Sequence, residues 1–316
     1  MSTKASAVRP LLPAPPAASG IMPELAEFAR LHGRLPRLGD ERAPWTYRGW
    51  LLPYVIALHS RVLAVADRWG YHLRTLEAGK LLDESIPQIA FGPPDPKVFT
   101  LLHDWSRLIG WDCGGWSDFR TLVEWLCWGV ALADEQPRLS DAVNENLYRQ
   151  VNLTPLLERP YDYLGEHVAA SKAKGWNPTG FYPTPQPVVE CLVRITLHDA
   201  KPEGRDPRTW SIADPCGGSG RMLLHASNVS LQLAGQDIDP LAVALCKLNG
   251  VLYAPWLSFP LPASILGTAG DGLPGTHRVP ESSEDLQIRR NASEQGLLFD
   301  LEPQHGGIPS TRPNQS

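Results

Sequence analysis

The sequence predicts an α/β fold, a small parallel sheet preceded by an all-helical region. Three observations predict it. Residues 23–160 carry apolar side chains at helical spacing. Past residue 185 the pattern changes to strand, helix, strand, helix, strand, which is the order of a parallel sheet with crossover helices. Within that second part, residues 211–228 read SIADPCGGSGRMLLHASN. There an apolar run ends at Asp214-Pro215, Gly217, Gly218 and Gly220 follow, and a helix-forming run begins.

Four segments organise the chain. Residues 1–22 are rich in Pro, Ala and Ser and read as a disordered lead. They contain no apolar stretch flanked by a cleavage site, so they do not read as a signal peptide. Residues 23–160 form the helical unit. A short helix opens at Pro23-Glu24 and runs to Leu31. A longer one covers 51–69, with Pro53 in its first turn, and continues over 71–82 after Gly70. Its His59, Ser60 and Arg61 interrupt it too much for a bilayer span. Further helices are expected over 96–109, 118–132 and 140–151, the last capped by Ser140. A helix over 156–174 should break near Pro160. Eight of the eleven Trp fall between residues 23 and 170, which predicts a Trp-rich core. Within it, His59 reads as a core or interface histidine.

Residues 161–275 form the second unit. It should hold a helix over 185–198, strands over 209–214 and 231–237, and helices over 220–226 and 240–252. Pro240 suits a first helical position. A third strand is expected at 264–267, ending in the turn Ala269-Gly270-Asp271-Gly272. Residues 276–316 are polar and Pro-rich and read as a disordered tail.

Composition narrows the function. Hydrophobic residues make up 43% and charged residues 20%, ordinary for a soluble globular protein. The formal charge of −5 argues against tight, unaided binding to nucleic acid, which calls for a basic footprint. Five Cys lie at irregular positions with no CxxC pair, so they read as free thiols of a reducing, cytoplasmic setting. Nine His show no HxH or HxxxH pairing, and no metal site is expected. Ser219 lacks the GxSxG frame of a hydrolase nucleophile.

The chemistry gathers where a parallel sheet binds ligands, beyond the carboxyl ends of its strands. Gly217, Gly218 and Gly220 let backbone approach a ligand closely and leave N–H groups free at the next helix start. No Lys follows them, which excludes a GxxxxGK triphosphate loop. Asp237, at the second strand end, is placed to accept hydrogen bonds from ribose hydroxyls. Asp271, at the third, is placed to accept one from an adenine amino group. Together these point to an adenosine-bearing cofactor without a phosphate requirement. The alternative is a tight strand-to-helix turn with solvated acids.

At these residues the segment 160–275 resembles the adenine-specific (N6) DNA methyltransferases, and especially the modification subunits of type I restriction systems. The stretch FYPTP, 181–185, resembles that family's FxTP-type motif. DPCGGSGRMLL is similar to DPxCGSGxxL, GQDIDPLAVALCKLNGVLYA to GxExxPxxxxLAxxNxxLxG, and ILGTAGDGL to the short GDxL motif. The resemblance implies the cofactor-binding part of a Rossmann-like methyltransferase sheet and S-adenosylmethionine as cofactor. It implies that Phe181, Tyr182, Thr184 and Pro185 lie near the methionine end. Asp214, Cys216, Gly217, Gly218 and Gly220 would wrap the cofactor, Asp237 would hold the ribose, Ile238 would lie against the adenine, and Asp271 would meet its amino group. Gly217 stands where the family often has Cys, and Tyr182-Pro183 departs from FxTP.

One motif of that family is missing. Adenine-N6 methylation uses an (Asn/Asp/Ser)-Pro-Pro-aromatic motif, whose polar groups hold the target amino group and whose ring stacks on the flipped base. Residues 272–316 contain none. The upstream stretch IAFGPPDP, 89–96, has Gly92 at the polar place and Asp95 at the aromatic one, and reads as an ordinary interhelical loop. The expectation is a protein that binds S-adenosylmethionine and transfers no methyl group alone, either meeting DNA through or with a partner subunit that supplies the missing catalytic half or being an inactive cofactor-binding relic. The competing reading is a non-enzymatic interaction or DNA-associated protein. It would act through the helical region and the tail peptide EQGLLFDLEP, whose Gln295, Leu298 and Phe299 resemble a bacterial sliding-clamp-binding peptide. That apolar cluster can equally fold back on its own domain.

Overall fold

The computed structural model describes residues 21–35, 43–63, 66–110, 116–172, 181–199 and 206–266. The predicted tail, the turn at 269–272 with Asp271, and Gln295, Leu298 and Phe299 lie outside the described residues. The described chain is mostly helical and carries one two-stranded parallel sheet.

Helix α1 (Ile21–His32) packs along α2 (Leu52–Val62). Helix α3 is Arg68–Ala78. The sequence predicts a helix over 51–69 that continues past Gly70, but α2 ends at Val62 and α3 starts at Arg68, ahead of that glycine. The Asp67 carboxylate caps α3 by accepting the Gly70 N–H at 2.9 Å, which draws Gly70 into the first turn. Gly79, in the left-handed region at φ 64°, closes α3. Helix α4 (Pro96–Arg107) starts on the Asp95 cap, and α5 is Trp116–Gly129. Ser140 caps α6 (Asp141–Gln150) as predicted, accepting from the Val143 N–H. The break near Pro160 separates α7 (Thr154–Glu158) from α8 (Tyr163–Lys172).

The second unit begins with α9 (Gln186–Asp199). Strand β1 (Ser211–Asp214) leads through the glycine turn into α10 (Arg221–Ala226). Strand β2 (Gln232–Gly235) pairs in parallel with β1, from Ser211 opposite Gln232 to Asp214 opposite Gly235. Asp239 then caps α11 (Pro240–Tyr253) by accepting the Leu241 N–H at 2.9 Å. Two short helices follow, α12 (Pro255–Ser258) and α13 (Ala263–Leu266).

Helix α13 corrects the expected third strand. Pro262 sets a helical turn, and its carbonyl accepts the Ile265 N–H at 2.9 Å. Ile265 and Leu266 both turn into the core, whereas a strand would send consecutive side chains to opposite faces. The described sheet therefore has two strands.

One continuous core runs through both units. Trp50 packs against Trp125 and Tyr148 at ring distances of 5.3 Å each, and Trp69 against Phe259 at 5.7 Å. Helix α11 is the axis of this core. Trp69 donates its indole N–H to the Val251 carbonyl at 2.8 Å, and the Tyr253 hydroxyl donates to the Leu156 carbonyl at 3.0 Å. His59 proves a core histidine, with Nε2 2.6 Å from the Leu252 carbonyl. No described helix is long and apolar enough to cross a membrane.

Candidate functional site

The glycine turn is built by backbone that only glycine adopts easily. Gly218 and Gly220 sit in the left-handed region, at φ 53° and 82°. A Cβ at Gly220 would also strike Cys246 Sγ from α11. Gly217 differs. Its φ is not positive, and an added Cβ would meet nothing closer than 3.6 Å, so a side chain fits there.

Strand pairing continues past β1 and holds the turn against the end of β2. Gln236 donates its N–H to the Asp214 carbonyl at 3.0 Å, and Gly217 donates to the Gln236 carbonyl at 2.8 Å. The Asp214 side chain accepts the Cys216 N–H at 3.0 Å. The Asp237 carboxylate accepts the Gly218 N–H on one oxygen and the Asp239 N–H on the other, both at 2.9 Å. Each oxygen keeps a second lone pair for another donor. The acid predicted at the second strand end therefore meets the glycine turn directly.

The 181–185 segment lies over the same turn. Phe181 is buried, and a Cβ on Gly218 would lie 3.7 Å from its ring. Tyr182 is 81% exposed and Ile238 is 78% exposed, large apolar groups with little protein around them. Pro185 starts α9, its carbonyl accepting from the Val188 N–H at 2.9 Å and the Val189 N–H at 3.1 Å. Cys216 is exposed and free. Of the predicted site residues, Phe181, Asp214, Gly217, Gly218 and Asp237 converge on the turn. Tyr182 and Ile238 stand at its surface, Gly220 closes it, and Asp271 lies outside the described residues.

Beneath the turn lies a polar cluster that sequence reading missed. Asp162 is buried and accepts from Ser219 Oγ at 2.6 Å, Arg221 Nε at 3.0 Å, Asn249 Nδ2 at 2.7 Å and the Gly165 N–H at 2.9 Å. Burial pushes its carboxyl above the ordinary value, and Arg221 pulls the other way. Accepting on both oxygens, it works as a carboxylate. Arg221 also reaches Glu166, Oε2 at 2.9 Å, and the Thr184 carbonyl at 2.8 Å. Burial lowers the Arg221 pKa, but Asp162 and Glu166 outweigh it and hold it above the ordinary value. Asn249 is the Asn of the GxExxPxxxxLAxxNxxLxG stretch, so a signal was present without a role. Asp162 and Arg221 carried no motif signal.

The Pro-Pro stretch behaves as a loop. Gly92 donates to the Pro160 carbonyl at 3.3 Å, and the Asp95 carboxylate is spent on the Lys97 N–H. Phe91 packs on His225, at the end of α10 remote from the turn.

Residues 154–254 match the family model for N-6 DNA methylase. The match covers the glycine turn, Asp237, the FYPTP segment and the buried cluster. It is partial, about a third of the chain, and agrees with the resemblance to adenine-specific DNA methyltransferases. Members of that family use S-adenosylmethionine. Neither the curated proteins nor the solved structures include a significant match to this chain.

Proposed function

We propose that this protein is a DNA adenine-N6 methyltransferase-like protein that binds S-adenosylmethionine at the glycine turn. The observation that carries this reading is the Asp237–Gly218 hydrogen bond, which joins the strand-end acid to the turn in one site. The residues present fit an adenosine-bearing group. The left-handed glycines leave backbone bare, Asp237 keeps acceptor capacity for ribose hydroxyls, and Ile238 offers an exposed apolar face for a base.

In this reading Phe181, Tyr182, Thr184 and Pro185 border the methionine end, and Asp214, Cys216, Gly217, Gly218 and Gly220 wrap the ligand. Ile238 packs on the adenine, and Asp271 receives its amino group. Bound S-adenosylmethionine would supply an electrophilic methyl group. The chain's own residues bind and orient it. No (Asn/Asp/Ser)-Pro-Pro-aromatic motif occurs in these 316 residues, and in this reading the target base is presented by a partner that also meets the DNA; the alternative is an inactive cofactor-binding relic. A restriction-modification role and a cytoplasmic setting follow from this reading.

Calorimetry on the purified chain tests it. Binding of S-adenosylmethionine is expected, and Asp237→Ala should weaken it about tenfold or more, roughly 1.4 kcal/mol. Absence of binding by the wild-type chain would overturn the reading. Methyl transfer to adenine-containing DNA is expected only once a partner is added, and transfer by the chain alone would refute the need for one.

A further inference from the structure

The segment 181–185 has an anchoring problem. Pro183 and Pro185 have no N–H, so two of the five backbone donors of the segment are missing and its carbonyls carry more of its anchoring, each needing a donor from elsewhere. Arg221 supplies one. It is the first residue of α10, 5% exposed, and directs its guanidinium at three acceptors, two at the start of α8 and one in the 181–185 segment. These are Asp162 just before α8, Glu166 within α8, and the Thr184 carbonyl. Its guanidinium carbon also lies 5.7 Å from the centroid of the Tyr161 ring. Tyr161 in turn donates its hydroxyl to Glu166 at 3.0 Å.

The two carboxylates fix the guanidinium plane, so its remaining arm has a set direction. That arm holds Thr184, and with it Phe181 on the glycine turn. From this geometry we propose that Arg221 is a positioning residue, which sets cofactor affinity by holding the 181–185 segment against the turn. The proposal rests on the reading of the turn as an S-adenosylmethionine site. A lysine keeps the charge but cannot serve three divergent acceptors in one plane. Arg221→Lys is therefore the informative variant.

The test compares the full-length wild type, Arg221→Lys, and Leu245→Ala as a control. Leu245 is buried in α11 and touches none of these hydrogen bonds. All three are studied where circular dichroism shows them folded. Calorimetry with S-adenosylmethionine should give a Kd at least tenfold weaker for Arg221→Lys and unchanged for Leu245→Ala. In the ligand-free protein, the Val188 and Val189 amides, both bonded to the Pro185 carbonyl, should exchange at least tenfold faster in Arg221→Lys. The Leu233 and Ala234 amides of β2 should keep their rates. If the wild type binds nothing, the cofactor reading itself fails and this proposal with it. If the wild type binds and Arg221→Lys matches it in affinity or in Val188 and Val189 exchange, the positioning role alone is overturned. Equal weakening of binding in both variants would overturn it too, because the effect would then be global.

Discussion

Helices α9 and α11 are both 14 residues long and both rich in Val and Leu, yet they end in opposite situations. Helix α11 is buried nearly from end to end, between α5, α8, α10 and α12. Helix α9 packs on α10, and among its residues whose burial is described only Val189 is fully buried. Val188, Leu192 and Ile195 recur at i, i+4 and i+7 on its outer side and are exposed. The strands repeat the contrast. Leu233, Ala234 and Gly235 of β2 are buried, while Ser211 and Ala213 of β1 are exposed. In the parallel ladder those two residues direct their backbone groups away from β2. Among the described residues the α11 side is therefore closed and the α9–β1 side open. An apolar face and a bare strand edge on one side are what a further strand with its covering element would satisfy.

Acid should expose the closed side first. His59 and His72 are buried against α11 and Trp256, and burial pushes both down to about 4. The unfolded chain binds these protons near pH 6.5, the folded chain only near 4. Stability is thus full above about pH 6.5 and falls as the pH drops toward 4, by about 3 kcal/mol per histidine. Urea denaturation at pH 7.5, 5.5 and 4.5 measures this. His167 on α8 is pushed down to about 4 as well, and His225 in the same direction, so His72→Leu should remove no more than about a third of the slope, and a flat profile in the wild type would break the picture of a sealed α11 side.

Trp256→Ala should be the next most damaging change. Trp256 is fully buried, meets Tyr71 at 6.1 Å and lies under the Arg68 guanidinium at 5.2 Å. Its indole N–H donates to the Ser230 carbonyl at 3.1 Å. Truncation should cost about 3–5 kcal/mol in chemical denaturation. A loss under about 1 kcal/mol would mean that the closed side is looser than its packing implies.

These contrasts mark how much the sequence made legible. Helix positions were readable because caps and apolar periods are local. Ser140, Pro240 and the break near Pro160 all appeared where the chain predicted them. Gly70 misled because a nearby carboxylate outweighed the glycine, a competition that composition does not display. The 264–267 segment misled because two apolar residues fit one helical turn as well as a short strand. At the site, the glycines and Asp237 were legible through their order along strand ends. Asp162 and Arg221 were not, since their value lies in meeting across 59 residues of chain.

The smallest expected effect is the sharpest test of the open side. Leu192→Ser and Ile195→Ser replace exposed apolar groups on α9 and should each change stability by no more than about 0.5 kcal/mol. Leu252→Ser on α11 removes a buried side chain and should cost several times as much, because cavity and transfer terms add there. Equilibrium denaturation of the three variants ranks them directly. If Leu192→Ser or Ile195→Ser costs about 2 kcal/mol or more, some other part of the chain covers α9, and its likeness to α11 extends to burial. Near-neutral values leave the stripe solvent-facing in the isolated chain.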